Sequence, residues 1–206
     1  MNKKYNDNGK IISLEYERDS EKYNINVASC YAVKKSNPDD STAGKIIENY
    51  RELRRDKPEE SQEYFNEKSV ILNEFIASVE QKDEEYDYVQ TMLPIDNNRR
   101  YILESFANKN FNGNNNFSHY FSKTDDVSIV GKSQEEAKQL FEYNKPENEY
   151  PVESLLIIDD TIDTGGTIKI LLDKLIDEGV ITGETEITAI IIYNNYGQNK
   201  FDLSKY

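Results

Sequence analysis

Val152-Glu153-Ser154-Leu155-Leu156-Ile157-Ile158-Asp159-Asp160-Thr161-Ile162-Asp163-Thr164-Gly165-Gly166-Thr167 is the stretch on which the reading of this chain turns. Val152 to Ile158 reads as an apolar strand of the kind found in parallel sheets covered on both faces. After a short polar turn, Ile168, Leu171, Leu172, Leu175 and Ile176 recur at helical spacing and form one apolar stripe. Gly179 stands where a glycine commonly ends a helix, and Glu186 to Tyr193 supplies a further strand. Strand, turn, helix and strand in that order predict an α/β fold: a mostly parallel central sheet with flanking helices.

The turn itself has two chemical halves. Asp159 and Asp160 follow the apolar run, at the carboxyl end of a strand, where open α/β sheets place their ligands. Adjacent carboxylates there suit the vicinal hydroxyls of a ribose, or a magnesium ion shared with a diphosphate. Asp163, Thr164, Gly165, Gly166 and Thr167 lie where main-chain amides at a helix N-terminus can point at a phosphate. The glycines allow close backbone approach, and the threonines add hydroxyl donors.

Outward from this unit the signals weaken. Ile11 to Arg18 and Tyr23 to Lys34 read as a hairpin across the polar Asp19–Lys22. Ala43, Ile46, Ile47, Tyr50 and Leu53 predict a helix over 42–54, and a second helix is expected over 58–81. Tyr86 to Leu93 reads as a strand ended by Pro94, and Arg99 to Asn108 as a helix. Phe117–Phe121 is expected as a short strand, Lys123 to Lys132 as irregular, and Ser133 to Tyr143 as a helix. Residues 1–85 are expected to form a hairpin-and-helices cap over a core at 86–206.

Composition sets the outer bounds. The chain has 206 residues, 36% apolar and 31% charged, with a formal charge of −14. That charge argues against a general nucleic-acid or anionic-membrane binder, which needs a basic footprint. One cysteine, Cys30, excludes an intramolecular disulfide and a cysteine-rich zinc site. The polar Met1–Lys10 segment lacks the apolar centre of a signal peptide, and no stretch is apolar enough for a membrane span. A cytoplasmic protein is expected.

Leu155 to Thr167 resembles the ribose-phosphate signature of type I phosphoribosyltransferases. The resemblance implies that Asp159 and Asp160 hold the ribose hydroxyls of phosphoribosyl diphosphate, directly or through magnesium carried by the ligand. It implies that Asp163 to Thr167 hold the 5-phosphate, with Asp163 as a candidate proton carrier. Val89 to Pro94, followed by Ile95 and Asp96, stands where that family has its diphosphate loop. Arg99 and Arg100 could then contact diphosphate, although Asp96 departs from the basic or small residue common there. Phe121 to Gln134 corresponds to the family's closing loop and is similar to the competence-associated (ComF-type) branch. On that correspondence Lys123 and Lys132 neutralise diphosphate. Tyr193, Asn194, Asn195 and Tyr196 could line a base pocket.

The activity so implied is magnesium-dependent transfer of phosphoribosyl to a nitrogenous base or similar acceptor, in a homodimer, with release of diphosphate. The alternative is a catalytically silent sensor that keeps the phosphoribosyl diphosphate or nucleotide site, such as a subunit of a multi-protein system.

Overall fold

The computed structural model describes residues 1–5, 11–29, 42–57, 59–61, 63–64, 67–68, 85–91, 103, 107, 117–124, 131–162 and 164–194. The architecture is mixed α/β around a six-stranded sheet of order β1 (Asn2–Tyr5), β2 (Ile11–Arg18), β3 (Glu21–Ser29), β8 (Glu186–Asn194), β7 (Ser154–Ile162), β4 (Tyr88–Thr91). Strand β7 (Ser154–Ile162) lies inside it, between β4 (Tyr88–Thr91) and β8 (Glu186–Asn194), and is parallel to both. Leu155, Leu156, Ile157 and Ile158 are each 0% exposed, so both faces of β7 are covered, as an apolar run without polar alternation requires.

Parallel neighbours need a crossover, which α3 (Gly166–Asp177) supplies between β7 and β8. Ile168, Leu171, Leu172 and Leu175 are buried in one cluster with Leu155 and Ile157. On the opposite face Leu156 and Ile158 pack with Ile46 and Tyr50 of α1 (Thr42–Asp56), and with Leu103 and Ala107. Consecutive residues of a strand point to opposite faces, so β7 feeds both layers of core.

The N-terminal hairpin is not a separate cap. Strand β2 (Ile11–Arg18) pairs antiparallel with β3 (Glu21–Ser29), and β3 lies parallel to β8 through Ile25↔Ile187 and Val27↔Ala189. The physical reason is an apolar face: Tyr23, Ile25 and Val27 alternate with exposed Lys22, Asn24 and Asn26 and need the main core to cover them. A boundary at residue 85 therefore cuts through one sheet. The turn is shorter than the expected Asp19–Lys22: Asp19 and Ser20 alone form it, with φ of 53° and 69°. Two positive φ angles match the right-handed twist of the flanking strands.

Strand β1 (Asn2–Tyr5) joins the sheet edge antiparallel to β2, and its sequence, Asn-Lys-Lys-Tyr, carries no strand signal. Lysines on an edge strand discourage pairing with other chains.

A second sheet pairs β5 (Phe121–Lys123) with β6 (Phe141–Tyr143), where the sequence predicts a helix continuing to Tyr143. Helix α2 (Gln134–Gln139) instead stops early, after a capping box in which Ser133 and Glu136 satisfy each other's main-chain amides. Phe141 then leaves the helical path to enter the core beside Phe121. The expected strand over Phe117–Phe121 begins only at Phe121, after a 3₁₀ turn at Ser118–Tyr120. The expected strand beyond Ser29, most of the helix over 58–81 and the helix over 99–108 lie largely outside the described residues. Among the described residues no helix is long and apolar enough to cross a membrane.

A polar network ties the hairpin to the crossover helix. The Tyr16 hydroxyl donates to Asp173 Oδ1, while Arg18 Nη1 donates to the Asp173 carbonyl at 2.9 Å. Arg18 also pairs with Asp177, which receives Lys138 of α2 at 2.5 Å. Burial, then the bond to Asp173, raises the Tyr16 hydroxyl well above its ordinary value. Burial alone would push Asp177 up, but hydrogen bonds and charge from Lys138 and Arg18 outweigh it and hold the carboxyl below its ordinary 3.8. A depressed carboxyl stabilises the fold above its unfolded-state value and loses that contribution as pH falls through the folded-state one. Asp177→Asn should therefore melt at a lower temperature near neutrality yet lose less stability below pH 3.8 than the parent, in melts followed by circular dichroism. Tyr16→Phe should cost about 1–2 kcal/mol in urea denaturation, because Asp173 Oδ1 loses its hydroxyl donor inside the core.

Candidate functional site

The sequence predicts that the acids sit in a turn after Ile158; in the structure the strand runs on through them. Asp159, Thr161 and Ile162 pair with Ile191, Tyr193 and Asn194 of β8. Asp159 and Asp160 are each only 6% exposed, and neither is without a partner. Asp159 Oδ1 also accepts the Thr161 N–H at 3.4 Å. Strand alternation places Asp159 on the α3 side with Leu155 and Ile157, and Asp160 on the α1 side with Leu156 and Ile158. The alternation ends at Ile162, which packs into the α3-side cluster as the chain bends toward the helix.

The loop that follows is built around Gly165. Its φ of 86° and ψ of 7° lie in the left-handed region, where it serves as N-cap of α3 without a side-chain capping bond. The first helical bond runs from Lys169 N–H to the Gly165 carbonyl at 3.0 Å. The N–H groups of Gly166, Thr167 and Ile168 consequently have no acceptor within the helix. Thr164 Oγ1 takes the Gly166 N–H at 3.3 Å, and Gln134 Nε2 of α2 reaches the Gly166 carbonyl at 3.4 Å.

Thr164 is exposed and Gly166 and Thr167 are half-buried, whereas Gly165 is buried: a Cβ built there would stand 3.1 Å from Met1 Sδ. The β1 end thus covers one side of the loop and leaves the first turn of α3 as its accessible edge. Burial, then the charges of Lys169 and Lys3, lowers the Met1 amine, so these two lysines add positive potential near a helix end that already favours anions.

The expected residues divide into three groups. Asp159 and Asp160 lie near the carboxyl end of β7, and Thr164, Gly165, Gly166 and Thr167 lead into and open α3 at the same end of the sheet. Asp163, Ile95, Asp96, Arg99 and Arg100 lie outside the described residues. Lys132 is exposed just before α2, while Lys123 is 5% exposed within β5, paired to Phe141. Lys123 is therefore a strand residue with its own interactions, not a surface lysine on an irregular segment.

Three residues within the quoted stretches, to which the sequence assigns no role of their own, also belong here. Gln90 and Thr91 end β4 at 0% and 1% exposure, and Thr161 lies near the end of β7. Gln90 Oε1, Thr91 Oγ1 and Thr161 Oγ1 are buried without a hydrogen-bond partner. Polar residues closing a strand with no exposed position were the signal, since a buried polar group demands a partner.

Among the described residues no three histidine, cysteine or acidic side chains gather as a metal group. With Asp159 and Asp160 on opposite faces, the two do not chelate one ion, so these residues do not fit a magnesium site held by protein alone. A surface cleft of about 400 Å³ on α1, lined by Asn49, Glu52, Leu53, Asp56, Lys57 and Tyr64, contains none of the expected site residues.

No protein-family model and no curated protein matches this chain. The geometry of the loop gives its own test: Gly165→Ala forces a Cβ into the left-handed region and toward Met1 Sδ. It should lower stability by about 1–2 kcal/mol, measured by urea denaturation.

Proposed function

We propose that the β7–α3 junction binds phosphoribosyl diphosphate and that the protein transfers its phosphoribosyl group to a nitrogenous base or similar acceptor. The observation that carries this reading is the strand end at which buried acids are followed, a few residues on, by a left-handed glycine and the open first turn of a helix. Acceptors for sugar hydroxyls and donors for a phosphate are thereby set one after the other along a short stretch of chain. Either half alone is common in proteins; their succession at one strand end supports a phosphorylated sugar.

On this reading the Thr167 amide, with the Thr164 and Thr167 hydroxyls, holds the 5-phosphate, and the Gly166 amide joins them on exchanging Thr164 Oγ1 for the ligand. Asp159, from the α3 side, orients the ribose; Asp160, on the other face, holds the strand end or the far side of the ligand. The bond from C1 of the ribose to a diphosphate oxygen breaks, and diphosphate leaves with the electron pair. The acceptor nitrogen forms the new bond to C1 and gives up its proton, for which Asp163 stands at the right point of the chain. Magnesium would be carried by the diphosphate itself, where it would offset the leaving group's charge, rather than be held by side chains of this chain. Arg99, Arg100 and Lys132 are the cations proposed to assist its departure.

A second reading, binding without turnover, is favoured by the burial of Lys123, which removes one expected cation from the diphosphate side. Calorimetry with phosphoribosyl diphosphate and magnesium tests the shared part, and diphosphate release across a panel of bases separates the two. Asp159→Asn with Asp160→Asn should weaken binding at least about 100-fold, because each charge-assisted hydrogen bond contributes about 1.5–3 kcal/mol. Unchanged affinity in a folded double variant would overturn the assignment.

A further inference from the structure

We propose that Gln90, with Thr161, forms a hydroxyl-reading subsite beside Asp159 and selects sugar phosphates that carry a vicinal diol. The inference rests on the junction being a sugar-phosphate site and adds what that site discriminates.

The Gln90 side chain has its orientation set locally. Its Nε2 donates to the Thr91 carbonyl at 2.6 Å, which commits the amide and leaves Oε1 as a bare acceptor. That oxygen is buried without a partner in a residue 0% exposed. A buried acceptor left unmatched is destabilising, and such groups are rare in folded proteins unless something else completes them.

Its position says what would complete it. Gln90 pairs with Ile157 across the parallel β4–β7 ladder, so Asp159 lies two residues farther along the neighbouring strand, on the same face. Thr161 Oγ1, also buried and unpartnered, lies two residues beyond Asp159, and the Thr161 N–H is already bonded to Asp159 Oδ1. All three stand at the carboxyl ends of β4 and β7, the side from which the chain enters α3.

A carboxylate and an amide oxygen only accept, and a threonine hydroxyl does either. The complementary ligand must therefore present donors at neighbouring points. Two adjacent sugar hydroxyls do so, one toward Asp159 and one toward Gln90 Oε1. A 2-deoxy sugar lacks one of them and would leave a buried acceptor empty, a loss that polar recognition sites punish strongly.

The experiment compares the parent chain with Gln90→Met, which keeps volume and removes the acceptor together with the bond to the Thr91 carbonyl, and with Thr161→Val. Thermal melts without ligand are paired with calorimetry using ribose 5-phosphate and 2-deoxyribose 5-phosphate. The parent should prefer ribose 5-phosphate by roughly tenfold or more. Gln90→Met should lose most of that preference, with a melt lowered only by loss of the bond to the Thr91 carbonyl; Thr161→Val should lower affinity for the ribose form about threefold to tenfold without lowering the melt.

A Thr161→Val melt clearly below the parent would mean that these buried oxygens are already satisfied, by a buried water for instance, and would overturn the inference. So would a parent that binds both sugars equally, or a Gln90→Met variant that keeps the preference; in either case the junction remains a sugar-phosphate site. A parent that binds neither sugar phosphate nor phosphoribosyl diphosphate overturns the reading of the junction, and this inference with it.

Discussion

Coverage of β7 on both faces is the constraint on which the other elements depend. Leu155 to Ile158 cannot remain in water on either side, so each face must acquire a layer and each edge a strand. On one face that layer is α3 with the β5–β6 pair; on the other it includes α1 with Leu103 and Ala107. Each of these side chains buries enough apolar surface to stabilise the fold by about 1.5–3 kcal/mol. Once the strand is enclosed, its C-terminal end has one exit, toward the turn that begins α3.

That enclosure also explains why polar groups collect where they do. The ladder of β4, β7 and β8 satisfies main-chain groups through the strands, but side chains near the strand ends receive no such help. Asp159, Asp160, Gln90, Thr91 and Thr161 all occupy this margin, where apolar packing gives out. The left-handed Gly165 then redirects the chain so that the first turn of α3 faces the same margin. Acceptors and donors for a polar ligand therefore arise from a single geometric event, the passage from an enclosed strand into a helix.

The hairpin extends this frame. Tyr16 and Arg18, on β2, hold Asp173 and Asp177 of α3, so the crossover helix is fixed from the sheet side as well as by its apolar stripe. Lys138 brings α2 into the same network through Asp177. The helix whose N-terminus borders the candidate site is thus anchored at its middle and end, and its first turn is left accessible. Orientation of a site by partners two turns away is a general means of keeping it rigid.

Sequence alone determined the strand–turn–helix–strand unit, the amphipathic α1, and the hairpin strand Ile11–Arg18. In each, an apolar pattern of fixed period meets a local stop such as Gly179 or the polar Asp19-Ser20 pair. It also marked Asp159 through Thr167 as one candidate site, because residue types that serve acceptors and donors stand there in order. Tertiary structure alone decided that the hairpin completes the main sheet, that Phe141 to Tyr143 leaves a helical pattern to pair with β5, and that polar β1 becomes an edge strand. It decided too that the acids lie within β7 on opposite faces, and that Gln90 and Thr161 stand on either side of Asp159. These outcomes depend on which surface a segment meets across the sheet, and side-chain alternation becomes a statement about neighbours only when pairing and register are set.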